Sequence, residues 1–341
     1  MADFPFLPRG PAEESFAPGA DGTRIHYSVW NPPKPAAGAA PGAPPPHTLV
    51  LSDGIGCAGY AWKYLIRHFQ RTCRIIHWQY RGHGKSGLPQ DRTRTTFDDL
   101  CGDLAAVLHA TSTSLKTTRV VLMGHSMGVQ VCLEYHRRHP EQVSALVLLL
   151  GSHGMPLDTF HDSKVLRRVI PAMLQAAREF PEAMGVLWRL FSGGELAYQL
   201  ATRTEVNGLL IRREDFMPYF EHLAGMDPRL FLTMLLNAGD HSAFDHLPDI
   251  DIPTLIVAGT ADTFTPYWLS EEMNDRIANS EMLTIPGGTH AATIEQPELI
   301  ELRLERFLAR LPRVAGAPAQ KAEEKAQEQA GKPAQLHSVV G

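Results

Sequence analysis

Val120-Val121-Leu122-Met123-Gly124-His125-Ser126-Met127-Gly128 decides the fold of this chain. Four apolar residues read as a buried strand, and the residues after Gly128 read as a helix. Gly-x-Ser-x-Gly at such a junction is the nucleophile-elbow pattern. A serine in this tight turn lifts its hydroxyl clear of the backbone. The two glycines sit where helix and strand crowd together and a Cβ would clash. The helix that follows aims its unpaired N–H groups at the same point. A Gly-rich turn with a capping Ser is the plainer reading of the same residues. His125 should point away along the turn and serve structure.

Working outward towards the N-terminus, Thr48–Ser52 reads as a buried strand, followed by Asp53-Gly54-Ile55-Gly56-Cys57-Ala58-Gly59 and a helix through about Phe69. Residues 54–59 match G-x-G-x-x-G, but the next strand, Arg74–Tyr80, ends without the acid that a dinucleotide ribose requires. Arg81-Gly82-His83-Gly84-Lys85-Ser86-Gly87 contains Gly-Lys-Ser, yet Gln79 occupies the position where a phosphate loop needs glycine. Phe97–Thr111 has helical spacing at Leu100, Leu104, Val107 and Leu108. Beyond the elbow, a helix to about His139 leads to a second continuous apolar run, Val143–Leu150. Continuous apolar strands joined by helices predict a parallel sheet covered on both faces.

The alternation stops between about 151 and 247. That stretch is helical and amphipathic throughout, and reads as a helical cap inserted in an α/β core. Alternation resumes with a strand at Thr254–Ala258 ending in Gly259-Thr260-Ala261-Asp262, a helix over about 266–277, a strand at Glu281–Ile285 ending in Pro286-Gly287-Gly288-Thr289-His290, and a helix over about 297–311. The expected organisation is an extension over 1–20, a first core part over 21–150, the cap over 151–247, a second core part over 248–311 and a disordered tail over 312–341. Arg24–Trp30 reads as a strand, and residues 31–46, nearly all Pro, Ala and Gly, read as a surface loop.

Composition bounds the chemistry. The chain has 341 residues, 44% hydrophobic and 20% charged, with a formal net charge of -5 and a pI near 6.3. Nothing here favours nucleic acid. No apolar run is long enough for a membrane span, and the first ten residues do not resemble a secretory leader. Cys57, Cys73, Cys101 and Cys132 lack metal-like spacing and read as reduced core thiols. A cytoplasmic location is the expectation.

Serine needs a base to take its proton, and the base needs an acid to fix its tautomer. Ser126, Asp262 and His290 each follow a strand, where functional groups gather in a parallel sheet. Singly, an Asp after a strand is usually a turn residue and a His after Gly-Gly a loop residue. Glu295 and Asp251 are weaker candidates for the acid. With the Ser–acid–His order and the Arg81–Ser86 loop, residues 21–311 resemble the α/β-hydrolase fold superfamily. The resemblance implies a mostly parallel sheet flanked by helices, a Ser126–His290–Asp262 triad, and an oxyanion hole from the backbone N–H groups of Met127 and Ile55. The family usually has His where this chain has Asp53. A carboxylate about 5 Å from the oxyanion would oppose it by about 3 kcal/mol at an effective dielectric near 20. Asp53 therefore either turns away into an Asx turn with its own loop, is held neutral, or meets a cationic substrate group; the first is expected.

The expected activity is hydrolysis of a carboxylic ester through an acyl-enzyme, on a small-molecule ester or acyl substrate, with no metal or cofactor. Carbon–carbon hydrolases, thioesterases, lactonases, amidases and cofactor-free haloperoxidases share the triad. A non-catalytic binder could share the fold.

Overall fold

The computed structural model describes residues 13–32, 47–111 and 119–312. The loop expected over 31–46 and the tail expected over 312–341 fall almost wholly outside them. The strands are β1 (Glu13–Pro18), β2 (Arg24–Trp30), β3 (Thr48–Ser52), β4 (Arg74–Trp78), β5 (Val120–His125), β6 (Val143–Leu149), β7 (Thr254–Gly259) and β8 (Ser280–Ile285). They form one sheet in the order β1-β2-β4-β3-β5-β6-β7-β8. β1, β2 and β4 pair antiparallel, and every pair from β4 through β8 is parallel.

Side-chain alternation along the buried strands divides the core between the two faces. Val50, Ile76, Leu122, Leu148 and Ile256 pack on one face with α2 (Phe97–Thr111), α3 (Met127–Arg138) and α10 (Tyr267–Arg276). Leu51, Ile75, Met123, Val147 and Val257 pack on the other with α1 (Lys63–Phe69) and α12 (Pro297–Arg310). A parallel sheet buried on both sides needs such unbroken apolar strands. The chain therefore has the α/β-hydrolase architecture expected from its pattern.

One strand was not legible. β1 lies inside the stretch read as an extension. It is an edge strand, and only Ala17 of its six residues is buried. It is held by its ladder with β2 and by Phe16, which lies under the Arg24 guanidinium. Neither leaves an apolar pattern to read.

Between β6 and β7 the described chain is helical, as expected: α4 (Pro156–Thr159), α5 (Val165–Glu179), α6 (Pro181–Ser192), α7 (Gly194–Thr204), α8 (Arg213–Gly225) and α9 (Pro228–Asp240). Its ends meet in an antiparallel bridge between Gly154 and Ser242. Lys63 and Tyr64 of α1 both bond the buried Asp215 carboxylate of α8 and tie these helices to the core. α11 (Ala292–Glu295) is a single turn before α12. No helix among the described residues is long and apolar enough to cross a membrane.

The chain order reverses beside β3, which lies between β4 and β5. Loops leaving the carboxyl ends of β3 and β5 diverge there and open a crevice. Asp53–Gly59 and Ser126 are the residues at its edges. Their closeness depends on Gly128, where a Cβ would stand 2.1 Å from the Ser52 carbonyl oxygen. Gly128→Ala should therefore lower the unfolding free energy by roughly 3 kcal/mol or more. Gly102→Ala, at an exposed position of α2 with nothing within 4 Å, should raise it by about 0.5–1 kcal/mol. Urea titration of both variants tests the pair, and equal effects would refute the close-contact account.

Candidate active site

Ser126 is the junction between β5 and α3, with φ 56° and ψ −122°. This backbone region is uncommon for a residue with a Cβ and costs of order 1–3 kcal/mol. Its N–H donates to the Leu149 carbonyl at 3.1 Å, and its own carbonyl accepts from Val129 at 3.0 Å. The neighbouring strand and the first helical turn thus hold the strained turn in place.

The hydroxyl is directed at His290. Ser126 Oγ lies 2.8 Å from His290 Nε2, and His290 Nδ1 lies 2.9 Å from Asp262 Oδ2. These three residues come from the ends of β5, β7 and β8, so the structure brings the expected set together. Asp262 is itself fixed. Its Oδ1 accepts the N–H groups of Phe264 and Thr265, both at 2.9 Å, and its Oδ2 accepts the Thr265 hydroxyl at 2.9 Å. Nδ1–H of His290 facing the carboxylate leaves Nε2 as the acceptor for a serine proton.

The two other acids are elsewhere. Glu295 accepts the Thr289 hydroxyl, the Thr289 N–H and the Asn207 N–H. It anchors the His290 loop to the helical cap. Asp251 precedes β7 and lies at the opposite end of that strand from Asp262. His125 is structural, but its role is nearer the centre than the sequence suggested. Its Nε2 is 3.1 Å from the His290 carbonyl oxygen, so an Nε2–H donor positions that residue's backbone. Phe264 stacks on the His290 ring, 4.9 Å between centroids. Thr265 and Phe264 carried no sequence signal, because each acts only through a loop folded against it; Glu295, a candidate for the acid, is a loop anchor instead.

Both expected oxyanion donors border the serine. Met127 begins α3, where backbone N–H groups have no partner within the helix. Ile55 follows Gly54, whose Cβ position would be 3.0 Å from Ser126 Cβ. The adjoining Gly56 N–H is committed instead to His83 Nε2 at 3.0 Å.

A family model described as serine aminopeptidase, S33, matches residues 44–297. The chain belongs to this family. Two similar proteins carry the name "Putative carbamate hydrolase RutD". That of Yersinia enterocolitica is 26% identical over 264 residues, covering 75% of this chain and 85% of its own. That of Agrobacterium fabrum is 27% identical over 262 residues, covering 76% and 92%. Among solved structures, a bromoperoxidase from Bacillus anthracis superposes with TM-score 0.67 at 18% identity, over 87% of this chain and 100% of that one. An enol-lactonase from Burkholderia xenovorans LB400 gives 0.66 at 19%, with the same coverage. These two share the fold. The protein is a hydrolase of the α/β-hydrolase fold.

The hydrolase encloses two cavities that meet at Ser126. The larger, ≈ 320 Å³, is walled by α7 and α8 and touches His290 and Ala291. The smaller, ≈ 220 Å³, is walled by α4, α5 and α9 and touches Met127 and Gln130 of α3. Ile55, Ser126, Tyr219 and Phe264 border both. Cys57 borders the larger one. Burial, reinforced by the Asp53 charge, raises its thiol well above the ordinary value, so it stays protonated and does not compete with Ser126.

Asp53 corrects one expectation. It turns away from the crevice, but not into an Asx turn. It is fully buried and its Oδ2 meets His77 Nε2 of β4 at 2.9 Å. The preceding strand pairing sets this contact, since β3 and β4 run parallel side by side. Asp53 is thus a support for the oxyanion loop. Asp53→Asn should lower stability by about 1–3 kcal/mol, because it weakens a buried charged partner of His77, while kcat changes less than about threefold. A turnover assay beside urea unfolding measures both; a large gain in kcat at unchanged stability would place the carboxylate on the oxyanion after all.

Burial holds two further imidazoles in the neutral form. Burial lowers His83 and His125 from the ordinary 6.5 to about 4, with a smaller contribution at His125 from the neighbouring His290. The unfolded chain binds these protons near pH 6.5 and the folded chain only near pH 4. Stability is therefore whole above about pH 6.5 and is lost as pH falls towards 4. Each residue should withdraw about 2 kcal/mol between pH 7 and pH 5. Unfolding free energies at the two pH values test this; a flat profile contradicts it.

Proposed function

We propose that this hydrolase cleaves a neutral carboxylic ester by nucleophilic catalysis at Ser126. As Oγ bonds the carbonyl carbon, its proton passes to His290 Nε2 and Asp262 stabilises the imidazolium. The backbone N–H groups of Ile55 and Met127 receive the developing oxyanion. Collapse of the tetrahedral species breaks the ester C–O bond, and Nε2–H protonates the leaving alcohol. A water deprotonated by His290 then attacks the acyl-enzyme and regenerates Ser126. The observation that carries this reading is the unbroken relay of 2.8 and 2.9 Å contacts from Ser126 through His290 to Asp262. The helices over 151–247 serve in this reading as a cap that excludes water from the acyl group.

The names of the relatives favour a second reading, cleavage of a carbamate at the same serine. A free carbamate anion would want a cation beside it. Among the described residues, neither cavity is bordered by lysine or arginine. The linings instead favour neutral substrates with apolar arms, so a carbamate ester is the form of that reading compatible with the pocket.

Incubation with a fluorophosphonate and with p-nitrophenyl esters, beside Ser126→Ala, tests the proposal. The variant should lose labelling and about 10⁴–10⁶ in kcat. Wild type that neither labels nor turns over an ester or aryl carbamate refutes it and leaves a non-catalytic binder of the same fold.

A further inference from the structure

The two cavities are not equivalent with respect to the proton path. His290 Nε2 has to reach the leaving oxygen, so the leaving group must lie on the His290 side of the carbonyl. The oxyanion must point to the N–H groups of Ile55 and Met127, which leaves the acyl substituent the remaining direction. The larger cavity is bordered by His290, Ala291 and His125. The smaller borders Met127 and Gln130 and does not touch His290. Ile55, Ser126, Tyr219 and Phe264, common to both, form the throat where the carbonyl sits.

We infer that the smaller cavity takes the acyl arm and the larger one the leaving alcohol; this assignment rests on the ester-hydrolase reading above. The linings then specify what each arm is. Around the acyl side stand Leu157, Leu166, Leu235 and Ala238 together with Phe160 and Phe231, an apolar wall suited to a hydrocarbon arm. Its ≈ 220 Å³ equals about seven water-sized volumes of about 30 Å³ each, close to the size of a methylene. The leaving-group side is larger and mixes aliphatic residues, Leu200, Ala201 and Val206, with aromatic faces, and Glu205 lies at its wall. Phe216 and Tyr219 are near-parallel, 5° between planes with 5.9 Å between centroids, and Phe264 continues the surface up to His290. Flat rings pack against such faces in offset or edge-on arrangements. The substrate class is an ester of a medium-sized apolar acid with a bulkier apolar alcohol, for which a flat ring is one fitting form.

The atoms follow the same division. Attack forms the Ser126 Oγ–C bond, and breaking the C–O bond releases the alcohol, protonated from His290, into the larger cavity. Water enters the position that the leaving oxygen vacated. Its oxygen bonds the carbonyl carbon, its proton passes through His290 to Ser126 Oγ, and the acid leaves from the smaller cavity. Acylation therefore depends on the fit of both arms, whereas deacylation depends on the fit of the acyl arm alone, the water taking the leaving oxygen's place beside His290.

Leu235→Phe narrows the acyl side and Ala201→Phe the leaving-group side, both at half-buried positions. Specificity is read as kcat/KM ratios, octanoate over acetate for p-nitrophenyl esters and 2-naphthyl over ethyl for octanoate esters. Leu235→Phe should cut the first ratio at least about tenfold and leave the second within about twofold; Ala201→Phe should do the reverse. Leu235→Ala, a variant with no overpacking, should shift the preferred acyl chain to greater length. With a shared octanoyl group, the deacylation rate should change in Leu235→Phe and stay constant in Ala201→Phe. Labelling by a small fluorophosphonate confirms that each variant is folded with a reactive serine. An exchanged pattern, or both ratios moving together in both variants, overturns the assignment while the ester-hydrolase reading stands. Wild type that turns over no ester overturns that reading and the assignment with it.

Discussion

The backbone of α3 closes on the end of β3 with no room for a side chain. A Cβ at Gly128 would meet the Ser52 and Asp53 carbonyl oxygens at 2.1 and 2.8 Å. This contact fixes how far the elbow stands from the loop opposite. It brings Gly54 against Ser126, with Ile55 and Met127 next to them in the chain. The strained φ/ψ of Ser126 follows from the same geometry, because the strand must turn into the helix within one residue. In the proposed reaction, backbone held this way would need no reorganisation when charge develops on the oxyanion.

Around that fixed point, buried acids are kept apart by being given different partners. Asp262 has two backbone N–H donors, the Thr265 hydroxyl and His290. Asp53 has His77, with the Tyr80 hydroxyl donating to its carbonyl oxygen at 2.6 Å. Glu295 secures the loop that carries His290. Arg81 meets Asp103 through two bonds of 2.9 and 2.8 Å, a bidentate arrangement that locks the Gly-rich loop after β4 to α2. These acids have partners of their own, and the His290 imidazole faces the Ser126 hydroxyl. His83 and His125 remain uncharged and act as rigid donors and acceptors that hold loop backbone.

The cap completes the chemistry by making the surroundings of the serine apolar. Apolar side chains of α7 and α8 on one side, and of α4, α5 and α9 on the other, surround Ser126. Low polarity strengthens the Asp262–His290 interaction. It also sets what can enter, because an anionic substrate would lose its hydration without meeting a lysine or arginine in either lining.

Much of this was legible along the chain, for a definite reason. Unbroken apolar runs such as Val143–Leu149 and Thr254–Gly259 report burial on both faces, and the glycines at 124 and 128 report a crowded turn. Those are local demands, so the sequence by itself determined the parallel sheet, the elbow at Ser126, and Asp262 and His290 as its partners at later strand ends. The edge strand β1 escaped notice because its stability lies in backbone pairing. The partner of Asp53, the bond from His125 to the His290 carbonyl, the Asp262–Thr265 contact and the two cavities of unequal size that border Ser126 were decided only by the tertiary structure. They join residues far apart in the chain, or depend on how one loop folds, and nothing in residue type or spacing encodes which side chains a folded chain will set face to face.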